Sequence, residues 1–297
     1  MTPREEGFLL LTGQLGNPER RPLSVAQLRD LTARVRADQL SNGDKIMDAA
    51  DLMSLGYSAE MAGRILALMS EEALLKRYLQ KSMQADCLAI TRVSTGYPVQ
   101  VRQRLGVDSP GCLWAKGDVS LLSTPMVALV GSRELRQENR AFAEQVGYQA
   151  AIQGYTLVSG NARGADKTAQ EACLASGGKV IVVVADALES HKLRQNVLYL
   201  SEEGFDIGFS SQRALSRNRV IHSMGKFTFV AQSGLQRGGT WDGTTRNLHC
   251  GWSPVLCFDD GSGAAKQLVQ LGAIPVDVRH LKDLGALERV STNLFDR

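Results

Sequence analysis

Three short stretches carry groups able to hold an anion. Gly131-Ser132-Arg133 offers a flexible turn, a hydroxyl and a guanidinium at the mouth of a helix-forming run. Ser159-Gly160-Asn161-Ala162-Arg163-Gly164-Ala165-Asp166 places glycines and side-chain donors where a second helix begins. Backbone N–H groups at the positive end of a helix dipole make a phosphate site without a metal, and glycine admits an anion that a Cβ would hold off. The third stretch, Arg237-Gly238-Gly239-Thr240-Trp241, ends in an aromatic face. Basic and aromatic groups together suit stacking of a base with its phosphate held nearby. For each turn taken singly, a plain tight connection is the competing reading, and for Trp241 it is core packing.

Arg217-Asn218-Arg219-Val220-Ile221 adds a fourth feature. Two positions apart, its arginines cannot share one helix face, so one turns inward, toward a ligand or toward a carboxylate such as Asp166. Between Ser211 and His249, Arg213, Arg217, Arg219, Lys226, Arg237 and Arg246 face only Asp242, although the whole chain of 297 residues carries a net charge of only +3. That local excess reads as an anion-facing surface or as solvated charge.

Other chemistries lack their residues. There is no G-x-G-x-x-G with an acidic residue closing the next strand and no G-x-x-x-x-G-K-[ST]. No H-E-x-x-H or G-x-S-x-G occurs either. Asp166 and Asp186 follow strands and could act as bases, but no nucleophile stands near them in sequence. Binding is therefore expected rather than turnover, with no catalytic residue, metal or cofactor. The five cysteines form no C-x-x-C pair, so reduced and mostly buried thiols are expected. No window approaches the roughly 18 apolar residues of a membrane span, and residues 7–12 lack the flanks of a signal peptide, which predicts a cytoplasmic protein without membrane contact.

The elements that must position these groups follow from periodicity. Ser24 and Gln27 form a capping box ahead of Leu28, Leu31 and Val35, predicting a helix from about 25 to 36. A second apolar-periodic stretch runs from Asp44 through Ile46 to Leu55, breaks at Gly56 and resumes through Met61 to Leu66, followed by a helix near 71–83. The broken pair resembles a helix-hairpin-helix, with Ser58 where the second turn glycine belongs. Residues 86–125 read as a turn-rich lead-in. From Met126, strands at 126–130, 155–158, 179–185, 206–209, 227–231, 254–258 and 274–276 alternate with helices near 137–153, 165–176, 212–224, 241–250 and 263–271. This predicts an α/β fold, with a doubly wound, mostly parallel, Rossmann-like sheet over 126–297 behind a small all-helical domain over 1–85. Ligands in such sheets bind beyond the carboxyl ends of the strands, where the four features fall.

These motifs share the order and spacing of a known family. Tyr97-Pro98, Asp108-Ser109-Pro110, Lys116-Gly117-Asp118, Val130-Gly131-Ser132-Arg133, Ser159-Gly160-x-Ala162-Arg163-Gly164-x-Asp166, Gly177-Gly178 and Arg217-Asn218-Arg219-x-Ile221 resemble the DNA-processing protein A (DprA/Smf) family over about residues 80–278. The resemblance implies an extended Rossmann-like fold, no catalysis, single-stranded DNA in a basic pocket, a homodimer, and in competence transfer of the strand to RecA. It assigns Ser132 and Arg133 to a first pocket motif, Ser159, Gly160, Arg163, Gly164 and Asp166 to a second, and Arg217, Asn218 and Arg219 to a third. Three features depart from the family pattern: Asn161 in place of an apolar residue, Ser233-Gly234 and then Gly238-Gly239-Thr240-Trp241 in place of the usual Ser-Gly-Ser-x-x-Thr-Ala stretch, and an end at Arg297, where a winged helix is expected to be lacking. The Gly-Gly-Thr-Trp form resembles relatives in phage-defence and toxin–antitoxin operons, where a DprA-like protein accompanies a phosphoribosyltransferase-like toxin, and nucleotide-sensing relatives. A nucleotide sensor or antitoxin-like partner is therefore the alternative expectation.

Overall fold

The computed structural model describes residues 1–37 and 47–295. Among the described residues five helices come first: α1 (Pro3–Thr12), α2 (Val25–Ala37), α3 (Ala49–Ser54), α4 (Ala59–Met69) and α5 (Glu72–Gln84). The Ser24–Gln27 box starts α2 as the sequence predicts, the Gln27 N–H donating to Ser24 Oγ at 3.2 Å and the Ser24 N–H to Gln27 Oε1 at 3.0 Å. The predicted stretch from Asp44 to Ile46 lies outside the described residues. The turn between α3 and α4 is occupied from within: Tyr57 donates to Asp30 Oδ2 at 2.7 Å and Arg34 to the Leu55 carbonyl at 2.8 Å. A carboxylate standing at that turn disfavours phosphate there.

Leu23, Leu31, Leu52, Ala62, Ile65 and Leu68 form a small core of their own. Leu9, Leu10, Leu75 and Tyr78 belong instead to the larger core around Trp114 and Phe205. The Tyr78 ring stands 5.3 Å from Trp114 and 4.8 Å from Phe205, and its hydroxyl donates to Asp206 at 2.8 Å. Burial of α1 and α5 thus docks the helical segment onto the sheet.

Among the described residues the sheet has nine strands: β1 (Leu88–Thr91), β2 (Cys112–Gly117), β3 (Met126–Val130), β4 (Thr156–Ser159), β5 (Lys179–Val183), β6 (Val197–Ser201), β7 (Thr228–Val230), β8 (Val255–Phe258) and β9 (Ile274–Val276). Their order is β1-β2-β6-β5-β4-β3-β7-β8-β9, with β3 to β9 parallel and β1 and β2 antiparallel at one edge. The strands β1 and β2 fall within residues 86–125, so part of the stretch read as lead-in is sheet. Covering helices are α6 (Val99–Leu105), α7 (Gln137–Ile152), α8 (Ala165–Ala175), α9 (Ser211–Ser216), α10 (Asn218–Met224), α11 (Gly239–Cys250), α12 (Gly263–Gln270) and α13 (Leu284–Phe295). Strand residues alternate between two cores. Val127 and Leu129 pack with Phe142 and Ala169 on one face; Ala128 and Val130 pack with Ile221 and Trp241 on the other.

Two expectations are corrected. Residues 206–209 are not a strand; the strand is β6, whose five residues are all buried. Arg213 donates to the carbonyls of Ile207 and Gly208 at 2.6 and 2.7 Å, which withholds those oxygens from a ladder. The helix expected over 212–224 divides at Arg217 into α9 and α10. All five cysteines are free and only Cys250 is exposed. No helix among the described residues is long and apolar enough to cross a membrane.

Candidate functional site

The strand order reverses at β3. The chain leaves β3 through α7 to β4 on one side, and returns after β6 through α9 and α10 to β7 on the other. The turns after β3 and β7 therefore diverge and leave a crevice at the carboxyl edge of the sheet. It has a volume of about 1080 Å3 and is lined by the turns after β3, β4 and β7, by α9 and α10, and by the starts of α11 and α12.

Glycines bring these turns together. A Cβ on Gly131 would run into the Ala165 side chain, and one on Gly164, at φ +86°, into the carbonyls of Ser132 and Arg133. With both absent, the Ala165 N–H donates to the Ser132 carbonyl at 3.1 Å. Ser132 also donates through its N–H and its hydroxyl to the Gln232 carbonyl at 3.0 and 3.2 Å. Ser132 therefore ties the ends of β3, β4 and β7 into one rim.

Beneath the rim lies a buried ion pair. Asp166 Oδ2 accepts the Ala162 N–H at 3.1 Å and stands 4.0 Å from Arg217 Nη2. Burial raises the Asp166 pKa above the ordinary carboxylate value, opposed by the Arg217 charge, and burial likewise lowers that of Arg217. Ser159 and Gly160 lie deeper, their side-chain and carbonyl oxygens accepting from Gln170. They shape the floor and do not line the crevice.

The charge run does not form a single surface. Arg219 turns away from the crevice to Glu202 at 2.7 Å, and its assignment to the anion site is corrected: a nearly buried carboxylate holds it. Arg213 pairs with Glu203, and Lys226 with Glu288. Those acidic partners come from outside residues 211–249, which is why the local excess misleads. Arg163 is exposed and lies 3.5 Å from Glu134. Arg133 and Arg237 are exposed on the turns after β3 and β7, and neither has an ion pair among the described residues.

At the start of α11, Gly238, Gly239 and Thr240 line the crevice, and Asn218 Nδ2 donates to the Gly239 carbonyl at 3.0 Å. Trp241 does not line it. Its side chain is buried among the core residues beneath the sheet, so the stacking role is corrected to packing. An aromatic ring does stand at the crevice, that of Phe209, which is 61% exposed. Sequence reading placed it at the end of a strand; its position one residue before Ser210, whose hydroxyl accepts the Arg213 N–H at 3.1 Å, marks it instead as the residue leading into α9. His222, also unassigned from sequence, is fully buried at the crevice floor. Among the described residues, no group of three or more His, Cys, Asp or Glu could hold a metal.

A family model for DNA recombination-mediator protein A matches residues 88–283. DNA processing protein DprA of Streptococcus pneumoniae is 32% identical over 141 residues, 44% of this chain and 50% of that protein. Protein Smf of Escherichia coli is 27% identical over 203 residues, 65% of this chain and 53% of its own length. The chain thus spans about half the length of these curated relatives. The solved structure of S. pneumoniae DprA shares the fold at a TM-score of 0.65 and 23% identity, covering 86% of this chain and 95% of its own. DprA from Helicobacter pylori, described for its single-stranded DNA binding mode, does so at 0.57 and 21%, covering 69% and 97%.

Proposed function

The chain belongs to the DNA recombination-mediator protein A family, and from that premise we propose that it binds single-stranded DNA in the crevice beyond β3 and β7, without reacting with it. One observation carries this reading. The guanidinium groups of Arg133 and Arg237 stand exposed and unpaired, among the described residues, over a floor of glycine turns and helix starts. Phosphates held there would displace counterions, giving affinity that falls steeply with salt. Arg163 would exchange its 3.5 Å contact with Glu134 for a phosphate, and Phe209 would offer a face to a base. The single-stranded DNA binding described for the H. pylori neighbour supports the same reading. The protein would then act in DNA processing and recombination, as a homodimer passing the strand to RecA.

The test is fluorescence anisotropy with labelled single-stranded and duplex oligonucleotides across a salt series. Single-strand preference that weakens with salt and with Arg133→Ala supports the reading; salt-independent binding overturns it. The alternative, a nucleotide-sensing protein that restrains a toxin-like partner, is supported by Gly238-Gly239-Thr240 at the start of α11 and would show as mononucleotide binding without strand binding.

A further inference from the structure

Helix α11 opens on the crevice at Gly238-Gly239-Thr240 with no side chain capping it. The Asp242 N–H is the first to reach back along the helix, to the Gly238 carbonyl at 3.1 Å, so the N–H groups of residues 239–241 lie ahead of the helical ladder. Beside this helix lies the imidazole of His222, on α10. Asn247 Oδ1 accepts the Ser253 N–H at 2.9 Å, which turns Asn247 Nδ2 toward His222 Nδ1 at 3.0 Å. Nδ1 is therefore an acceptor and the ring proton sits on Nε2. Nε2 is fully buried, meets no acceptor among the described residues, and faces Gly243, where a Cβ would stand 3.4 Å away. A buried donor in that state is rare in folded proteins and points to a ligand. Arg217, which precedes the Asn218 that fastens α10 to Gly239, also lines the crevice with its buried Nε unpaired.

We propose that these groups form a phosphomonoester subsite, in which the N–H groups at the start of α11, His222 Nε2–H and Arg217 hold the terminal phosphate of a nucleotide. The inference rests on the reading above, that the crevice receives nucleic acid or its components. A phosphodiester continues in two directions, whereas this end of the crevice is backed by the buried His222. A phosphomonoester has one substituent and three terminal oxygens, which suits donors arriving from the helix start, the imidazole and the guanidinium. Its source is either the 5′ end of a strand or a free mononucleotide.

The full chain is titrated with oligo-thymidylate carrying a 5′-phosphate, the same strand with a 5′-hydroxyl, and thymidine 5′-monophosphate as competitor. The phosphorylated strand is expected to bind at least about tenfold tighter, as charge-assisted hydrogen bonds allow. Thr240→Glu places a carboxylate in the first turn, which the helix dipole favours, so its melting temperature should hold while the tenfold gain disappears. His222→Leu should lose the gain and His222→Gln, which keeps an amide donor, should retain most of it. Mononucleotide binding lost in Thr240→Glu, with no strand binding, supports the subsite with a free nucleotide as its source and overturns the strand reading. Equal, salt-sensitive binding of both strands without competition by the mononucleotide overturns the subsite and leaves the strand reading standing. Absence of all binding overturns both.

Discussion

The Arg217 guanidinium lies against the backbone of Gly160, so closely that any Cβ at residue 160 would fall within it. This contact lets Arg217 reach Asp166 from the α9–α10 junction, joining the turn after β4 to the opposite wall of the crevice. Space, and not a left-handed backbone, requires glycine at 160.

Gly160→Ala should therefore expel the guanidinium and leave Asp166 buried without its cation. Breaking a buried pair from one side costs about 3–5 kcal/mol. Urea unfolding should show a lower midpoint at an unchanged slope, and single-strand affinity should fall with it. An unchanged midpoint would mean that Arg217 has another stable position.

Arginines that look alike in sequence should separate in their salt response. Arg133→Ala and Arg237→Ala remove exposed groups with no ion pair among the described residues, so each should lower the slope of log affinity against log salt by about one, with no change in melting temperature. Arg219→Ala should do the reverse. It strands Glu202, whose carboxyl is 5% exposed, and should lower the melting temperature while leaving the salt slope intact. A reduced slope in Arg219→Ala would place that side chain on DNA.

The parallel strands were legible because both faces of the sheet are covered, which writes them as continuous apolar runs such as Val180 to Val184. The crevice was legible because turns 131–133 and 160–164 need glycine for close approach. What was hidden depends on partners distant in sequence. Glu202, Glu203 and Glu288 neutralise most of the basic run, and nothing near residues 211–249 signals them. Strand β6 was missed because the apolar residues near 206–209 compete with it, and only the Arg213 bonds to their carbonyls decide between them. Trp241 and Phe209 exchanged roles for a related reason: helix phase at α11 turns the indole under the sheet, while Phe209 precedes a helix and remains outside.

Those two aromatics give a direct test. Phe209→Ala should weaken single-strand binding by about 1–3 kcal/mol, the worth of one stacked base, and leave thermal stability unchanged. Trp241→Ala should lower stability by about 3–5 kcal/mol through a core cavity. The milder Trp241→Phe keeps the protein folded and should bind DNA as the wild type does. Weakened binding in a stable Trp241→Phe variant would return the stacking role to the indole.

The buried imidazole of His222 should be visible in the pH dependence of folding. Burial lowers its pKa to about 3 from an ordinary value of 6.5, so the unfolded chain takes up its proton first as the pH falls. Stability from this residue is fully present above about pH 6.5 and is lost progressively toward pH 3, at up to about 1.4 kcal/mol per pH unit. The carboxylates held below their ordinary values, among them Asp260 and Asp277, add their own loss only below about pH 4. The interval from pH 6.5 to 5 therefore isolates the imidazole from those carboxylates. Urea midpoints measured at pH 7, 6 and 5 should fall further for the wild-type chain than for His222→Gln, which has no imidazole to protonate and shares every other titrating group, including the buried Asp166 and Glu202, whose pKa values burial raises. Equal declines in both proteins would mean that burial does not hold the His222 ring neutral as the pH falls.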